Sequence, residues 1–263
     1  MLKTHVIDEI ANELYKAEKH RYSIDKFVDK YPELNEELAY KVQERLIEIK
    51  CNEEKTKRVG RKLGLTSKAK QVMMGVHEPS YGVLLESMQL FEGDPISISS
   101  FIHAKLEPEL AFIFGKELKG PHVTVADVLA ATEYIAPALE IIDSRFQGFS
   151  FTLPDAVADN SSSSRFIIGE RFYSPEQFDL RLMGMVFKKN GEVVATGAGA
   201  AVMGHPARAI AWMVNKLFKE GQSVQPGEVV LSGSLSGAVT IAEGDHFSAC
   251  FDRIGTVEAV FTE

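Results

Sequence analysis

Cysteine is scarce in this chain: Cys51 and Cys250 are the only two. They form no Cys-x-x-Cys pair and no Cys/His cluster, which argues against a zinc site. Two reduced thiols in a cytoplasmic protein are expected in preference to one disulfide. Long apolar runs are missing as well. No stretch approaches the roughly 18 residues of a membrane span, so no membrane partner is expected. The N-terminal residues Met1-Leu2-Lys3-Thr4-His5 lead into an amphipathic stretch and not into an apolar signal segment. Positive charge is not in excess. The formal net charge is -8 at pH 7, which speaks against nucleic acid or an anionic membrane surface as the main partner. An anionic substrate stays compatible with it, because a metal and a few lysines can reverse the field inside one pocket. There is no Gly-x-Ser-x-Gly elbow, so serine hydrolase chemistry lacks support.

The remaining composition, 45% hydrophobic and 25% charged, is that of a globular protein able to bury a core without covalent staples. The length fits one large domain, or one core domain plus an appendage. The first sixty residues read as helical. Ile7, Ile10, Leu14 and Ala17 recur at helical spacing. Asn35 is a suitable N-cap for a second helix, with Leu38, Val42, Leu46 and Ile49 on one face. The charged tract Asn52-Glu53-Glu54-Lys55-Thr56-Lys57-Arg58 marks a joint.

Beyond it, glycine becomes frequent and short apolar runs alternate with turn residues. Ala111 to Phe114 and Ala138 to Ile142 read as strands. Thr124 with Asp127 forms a capping-box-like start for a helix running to about Tyr134. Asn190-Gly191 joins Leu182–Lys188 to Glu192–Thr196 as a hairpin. Pro206 opens a helix that Gly221 closes. Four strand-like segments follow, at Val229, Val239, His246 and Thr256. Helices lead and strands dominate later, which predicts an α+β fold.

Chemistry concentrates in His103-Ala104-Lys105-Leu106-Glu107-Pro108-Glu109-Leu110. In a strand, His103, Lys105, Glu107 and Glu109 share one face. Two neighbouring carboxylates repel unless something positive lies between them. Pro108 donates no hydrogen bond, which suits an edge strand or a pocket lip. The bland alternative is a solvated face of an edge strand. Glu140 tilts the balance, as a lone charge within Ile135-Ala136-Pro137-Ala138-Leu139-Glu140-Ile141-Ile142 that is costly to bury unless paired or bound to metal. Three carboxylates without soft ligands indicate a hard, oxygen-coordinated cation, Mg²⁺ or Mn²⁺.

Gly60-Arg61-Lys62-Leu63-Gly64-Leu65-Thr66 lacks the Gly-Lys-Ser/Thr ending of a phosphate loop. Lys62 is then either a surface lysine or a buried cation facing an anion. Asp159-Asn160-Ser161-Ser162-Ser163-Ser164-Arg165 is either a plain polar loop or a set of donors closing over a carboxylate. His205 either caps the following helix or faces the site from its N-terminus.

In this order, the Gly60–Thr66 stretch, Glu107-Pro108-Glu109, Glu140, Asp159-Asn160 and Gly204-His205-Pro206 resemble the hydratase/decarboxylase branch of the fumarylacetoacetate hydrolase superfamily. Pro226 to Ser234 and Ile254 to Val257 are similar to that superfamily's C-terminal signature. The resemblance spans nearly the whole chain. It implies a mixed, rolled β-sheet core (66–263) with flanking helices, after a helical N-terminal region (1–65). It also implies that Glu107, Glu109 and Glu140 hold the metal, that Lys62 joins them in catalysis, and that Lys62, Leu63, Ser161, Ser162, Arg165 and Ser234 contact substrate. The branch contains decarboxylases of 2-oxohex-3-enedioate, a small dicarboxylate 2-oxo acid, and hydratases of 2-hydroxypenta-2,4-dienoate, both in the meta-cleavage route for aromatic compounds. Ile142-Asp143-Ser144-Arg145, Ser161 to Phe166 and Gly197 to Pro206 are more similar to the decarboxylases. Ser80 stands where hydratases carry an acid-base aspartate. Homo-oligomers, and a complex with the pathway hydratase, are implied as partners. An acylpyruvate hydrolase would want a His–Glu pair that does not stand out in this sequence, and a non-catalytic partner subunit would be expected to lack metal ligands.

Overall fold

A computed structural model describes residues 4–263, apart from the side chains at 70, 73 and 74. The chain begins with α1 (Thr4–His20), α2 (Phe27–Lys30) and α3 (Glu36–Glu53). Ile10, Leu14 and Ala17 of α1 are buried as their spacing predicts, and the Asn35 side chain accepts from the Leu38 amide to start α3. The helical segment ends at Glu53, and Arg58–Gly64 already forms β1, so the boundary expected at residue 65 falls one strand too late. The cationic residues of β1 disguise it. Val59 and Leu63 are its only large apolar residues, and the rest of its apolar surroundings come from neighbouring strands.

β1 is followed by α4 (Lys68–Met74), β2 (Ser80–Leu85), β3 (Gln89–Leu90), β4 (Pro95–Ser97) and β5 (Lys105–Phe114). Then come α5 (Val125–Ala131), β6 (Thr132–Ile142), α6 (Leu153–Ala158) and β7 (Ser163–Ile168). The Thr124/Asp127 capping box is present. Its helix stops at Ala131, short of the expected Tyr134, because Tyr134 and Ile135 pair with Ile113 and Phe112 of β5. The hairpin β8 (Gly184–Lys189) and β9 (Glu192–Ala198) turns at Asn190-Gly191, both at positive φ. α7 (Pro206–Phe218) precedes β10 (Val229–Leu231), β11 (Val239–Thr240), β12 (His246–Phe251) and β13 (Gly255–Thr262).

The strands make two sheets. The larger is mixed, in the order β2-β1-β10-β5-β6-β7-β3, with β11 also on β5; the smaller runs β4-β13-β12-β8-β9. Alternation along β5 divides its environment. Leu106, Leu110 and Phe112 join Leu139 and Ile141 of β6 in one core with Phe187, Phe247 and Phe261 of the smaller sheet. The opposite face carries Ala111, Ala138, Leu231 and Phe166, packed with Ile47 of α3 and Val83 of β2. Ile10, Leu14 and Leu46 of the N-terminal helices belong to the first of these cores, so those helices pack into the same body as the sheets. Among the described residues no helix is long and apolar enough to cross a membrane, and both cysteines are free.

Candidate metal centre and cavity

β5 is an interior strand, not an edge. Pro108 sits there without loss because its ring nitrogen faces the break between β10, which pairs with residues 111–113, and β11, which pairs with residues 105–106. On that same side the Pro108 carbonyl accepts from the Leu235 amide at 3.0 Å. Glu107 and Glu109 therefore do not form a solvated edge. They point to the side of the larger sheet away from the smaller one, and the register sets Glu107 directly across from Glu140 of β6. Glu109 and Glu140 are fully buried and Glu107 nearly so.

One carboxylate oxygen from each of these glutamates lies within 4.8 Å of the others. Glu109 Oε2 accepts from the Gly233 amide at 2.7 Å, while Glu109 Oε1 and both Glu140 oxygens have no hydrogen bond of good geometry among the described residues. Buried carboxylate oxygens left without donors are costly. A hard divalent cation satisfies them with the coordination chemistry this donor set prefers. Gly233 is needed where it stands: its φ is +95°, and a Cβ there would run into the Thr66 side chain.

Lys62 lies on the same face of the sheet, paired with Leu231 of β10 and Gly82 of β2. It is a buried cation, with Nζ 3.2 Å from Glu140 Oε2 and donating to the Ser161 carbonyl at 3.0 Å. Burial, then the neighbouring Glu140 and Glu107 charges, push the Glu109 carboxyl well above the usual range. Burial also raises Glu140, to about 7, against the opposing pull of Lys62.

These shifts make a prediction with an unusual sign. Unfolded glutamates titrate near 4.5, so between there and about 7 the folded metal-free protein binds more protons than the unfolded chain. Its stability therefore falls as pH rises through that window. With Mg²⁺ present the trend reverses, because the cation competes with those protons and binds more tightly as they leave. Thermal melts from pH 5 to 8, in EDTA and in excess Mg²⁺, should slope in opposite directions; parallel slopes would contradict this account.

A cavity of about 500 Å³ opens beside the glutamates. Lys62, Lys105, Glu107, Ser80, Ser161 and Ser162 contribute its polar wall, and Phe149, Phe151 and Ile142 its apolar one. The serines come from a turn in which Asn160, Ser161 and Ser162 all have positive φ, at 51°, 52° and 57°. Such a run is unfavourable for residues with side chains. It is held from outside: the Asn160 side chain pairs with both backbone groups of Val83, and the Ser161 hydroxyl donates to Ser80 Oγ and the Tyr81 carbonyl. The Ser162 hydroxyl is buried without a hydrogen-bond partner among the described residues and lines the cavity.

Four further residues singled out in the sequence lie as follows. Leu63 alternates away from Lys62 into the apolar core. Arg165 pairs with Ile141, which puts it on the face opposite Glu140, and its guanidinium lies 3.9 Å from Glu18 of α1. Ser234 is outside the cavity wall, its hydroxyl donating to the Ser236 carbonyl at 2.8 Å. His205 caps α7 through Nδ1, which accepts from the Ala207 amide at 3.1 Å. Sequence reasoning overlooked the aromatic wall at Phe149 and Phe151. The run Gln147-Gly148-Phe149-Ser150-Phe151, two aromatics in a glycine-containing loop, was the available signal.

A rolled mixed sheet carrying three buried carboxylates and a buried lysine at the end of a cavity defines the chain as a divalent-metal enzyme. The family model for the fumarylacetoacetate (FAA) hydrolase C-terminal region matches residues 47–262. The chain is 40% identical to 4-oxalocrotonate decarboxylase of Pseudomonas putida over 252 residues, 96% of this chain and 95% of that protein. It is also 40% identical to 2-hydroxyhexa-2,4-dienoate hydratase of Comamonas testosteroni over 260 residues, 98% of each. The solved structure of 4-oxalocrotonate decarboxylase from Pseudomonas putida G7, complexed with magnesium and adipate, superposes with a TM-score of 0.96 at 39% identity, covering 99% of both chains. The chain belongs to the fumarylacetoacetate hydrolase family.

Proposed function

We propose that the chain decarboxylates 2-oxohex-3-enedioate to 2-hydroxypenta-2,4-dienoate and CO₂, as a step of meta-cleavage catabolism. The observation that carries this reading is the cavity wall: two lysines face it, and Glu107 is its only acidic residue among the described ones. Ser80, with its hydroxyl accepting from Ser161, offers no general base to activate water.

A Mg²⁺ or Mn²⁺ ion held by Glu107, Glu109 and Glu140 supplies a Lewis acid for the 2-oxo end of the substrate. Breaking the bond to the far carboxylate leaves an electron pair, which passes through the conjugated double bond to the 2-oxo oxygen. Lys62 sets a fixed positive charge near that end of the cavity and is placed to hold the developing charge or move a proton to it. The Ser162 hydroxyl is free to donate to a substrate carboxylate. Phe149, Phe151 and Ile142 limit the access of water to the cleaved bond.

The test is CO₂ release from 2-oxohex-3-enedioate. We expect turnover with Mg²⁺ and its loss in EDTA, restored by adding the ion back; no CO₂ under either condition would reject the proposal. Hydration of 2-hydroxypenta-2,4-dienoate is the second reading, supported by the equal identity to a hydratase, and the same preparation incubated with that dienoate decides it. A homo-oligomer and association with a hydratase are part of the proposal.

A further inference from the structure

Lys105 contributes charge to the cavity wall, but no step above is assigned to it. It stands two residues before Glu107 on β5, on the same face. Lys62 reaches the wall from β1 beside Glu140, and Lys105 reaches it from β5. Lys62 is buried and already engaged by Glu140 and the Ser161 carbonyl. Lys105 is half-buried. Its ammonium rests 4.2 Å from the centroid of the Phe149 ring, and no carboxylate pairs with it among the described residues. A cation on an aromatic face is held weakly where solvent reaches it, and keeps its N–H donors available to an anion.

We infer that Lys105, seated on Phe149, is the subsite for the far carboxylate of a dicarboxylate 2-oxo acid, and so the residue that separates diacids from monoacids. The spacing supports it. Alternate residues of a strand are about 6.7 Å apart, close to the separation of the two carboxyl carbons in an extended six-carbon diacid. A 2-oxo acid with its carbonyl end at the glutamates therefore brings its other end beside Lys105. Phe149 also packs against the His103 ring, at 4.8 Å between centroids, in a loop where Gly148 and Phe149 both have positive φ. The assignment rests on the proposed reading only in taking the glutamates as the 2-oxo end.

Unreactive ligands test the subsite apart from the reaction. Binding of 2-oxoadipate and of 2-oxohexanoate to the Mg²⁺-loaded protein is measured by calorimetry for the wild type, Lys105→Met and Lys105→Arg. One charge-assisted hydrogen bond corresponds to about a tenfold preference for the diacid. We expect that preference in the wild type, its loss in Lys105→Met with 2-oxohexanoate affinity within about twofold, and its retention in Lys105→Arg. A Lys105→Met protein that still prefers the diacid, or a wild type that binds both alike, overturns the inference. A wild type that prefers the diacid but releases no CO₂ from 2-oxohex-3-enedioate leaves the subsite standing and removes the decarboxylase reading.

Discussion

Replacing Glu109 by glutamine is expected to slow turnover by about a hundred- to a thousand-fold, the range seen when one stabiliser of a developing oxyanion is removed, while leaving the metal-free fold as stable as the wild type or more so. The two halves of this prediction have one cause. Glu109 is fully buried beside Glu140 and Glu107, whose charges add to burial in pushing its carboxyl upward. Without a metal ion, the Glu140 and Glu107 charges disfavour ionised Glu109, and Lys62 offsets this only in part. Glutamine keeps the carbonyl oxygen that accepts from the Gly233 amide and carries no charge, so its repulsion with Glu140 and Glu107 is removed. The cost appears only when metal is added. At a hundredfold excess over its Kd, an ion stabilises the wild type by about 2.7 kcal/mol, which for a chain of this size is roughly 5 to 10 °C in Tm. The Glu109→Gln protein should show little of that shift. Full Mg²⁺ stabilisation together with a wild-type rate would mean that Glu109 is no ligand and that the cluster has another purpose.

The second large effect is on stability. Arg145 is fully buried between β6 and α6. It pairs with the Asp159 carboxylate through Nε and with the Asp159 carbonyl through Nη2, and it donates to the Asp143 carbonyl at 2.8 Å. Glu18 of α1 lies 3.9 Å away and binds Lys50 of α3 at 2.6 Å. Burial disfavours the charged form of Glu18, but Lys50, Arg145 and Arg165 outweigh it and hold the carboxyl at about 2. The N-terminal helices are thereby tied to the residue that precedes the left-handed serine turn. Arg145→Met should lower stability by about 3 kcal/mol, the lower part of the range for breaking a buried pair, or roughly 10 °C in Tm. The lower part applies because burial already raises the Asp159 carboxyl to about 7, so the orphaned acid takes a proton in preference to staying charged. Adding Asp159→Leu should recover part of the loss by removing that buried acid, whereas a surface role for Arg145 predicts no change in either variant. Because Ser161 and Ser162 follow directly, substrate affinity should weaken along with Tm in the single variant.

Much of this was legible from local pattern. The helical start, the Thr124/Asp127 cap, the Asn190-Gly191 turn and the Pro206 helix depend on residues within a few positions of each other, where spacing carries the physics. The metal ligands were legible because a charge such as Glu140 in an apolar run needs a compensating partner wherever the chain takes it. What the chain could not announce were relations between segments. β1 hides within a cationic stretch because much of its apolar surroundings comes from its neighbours β2 and β10. Pro108 reads as an edge signal, and only the interruption of its neighbour strands makes an interior place for it. Arg165 and Leu63 stand next to site residues in sequence, yet strand alternation turns both to the other side. Sequence by itself determined which residues demand compensation: the acids, the lysine and the hydroxyls. Tertiary structure alone decided which of them meet, because the side of a strand a residue faces follows from register with partners many residues away, and a one-residue slip would reverse it.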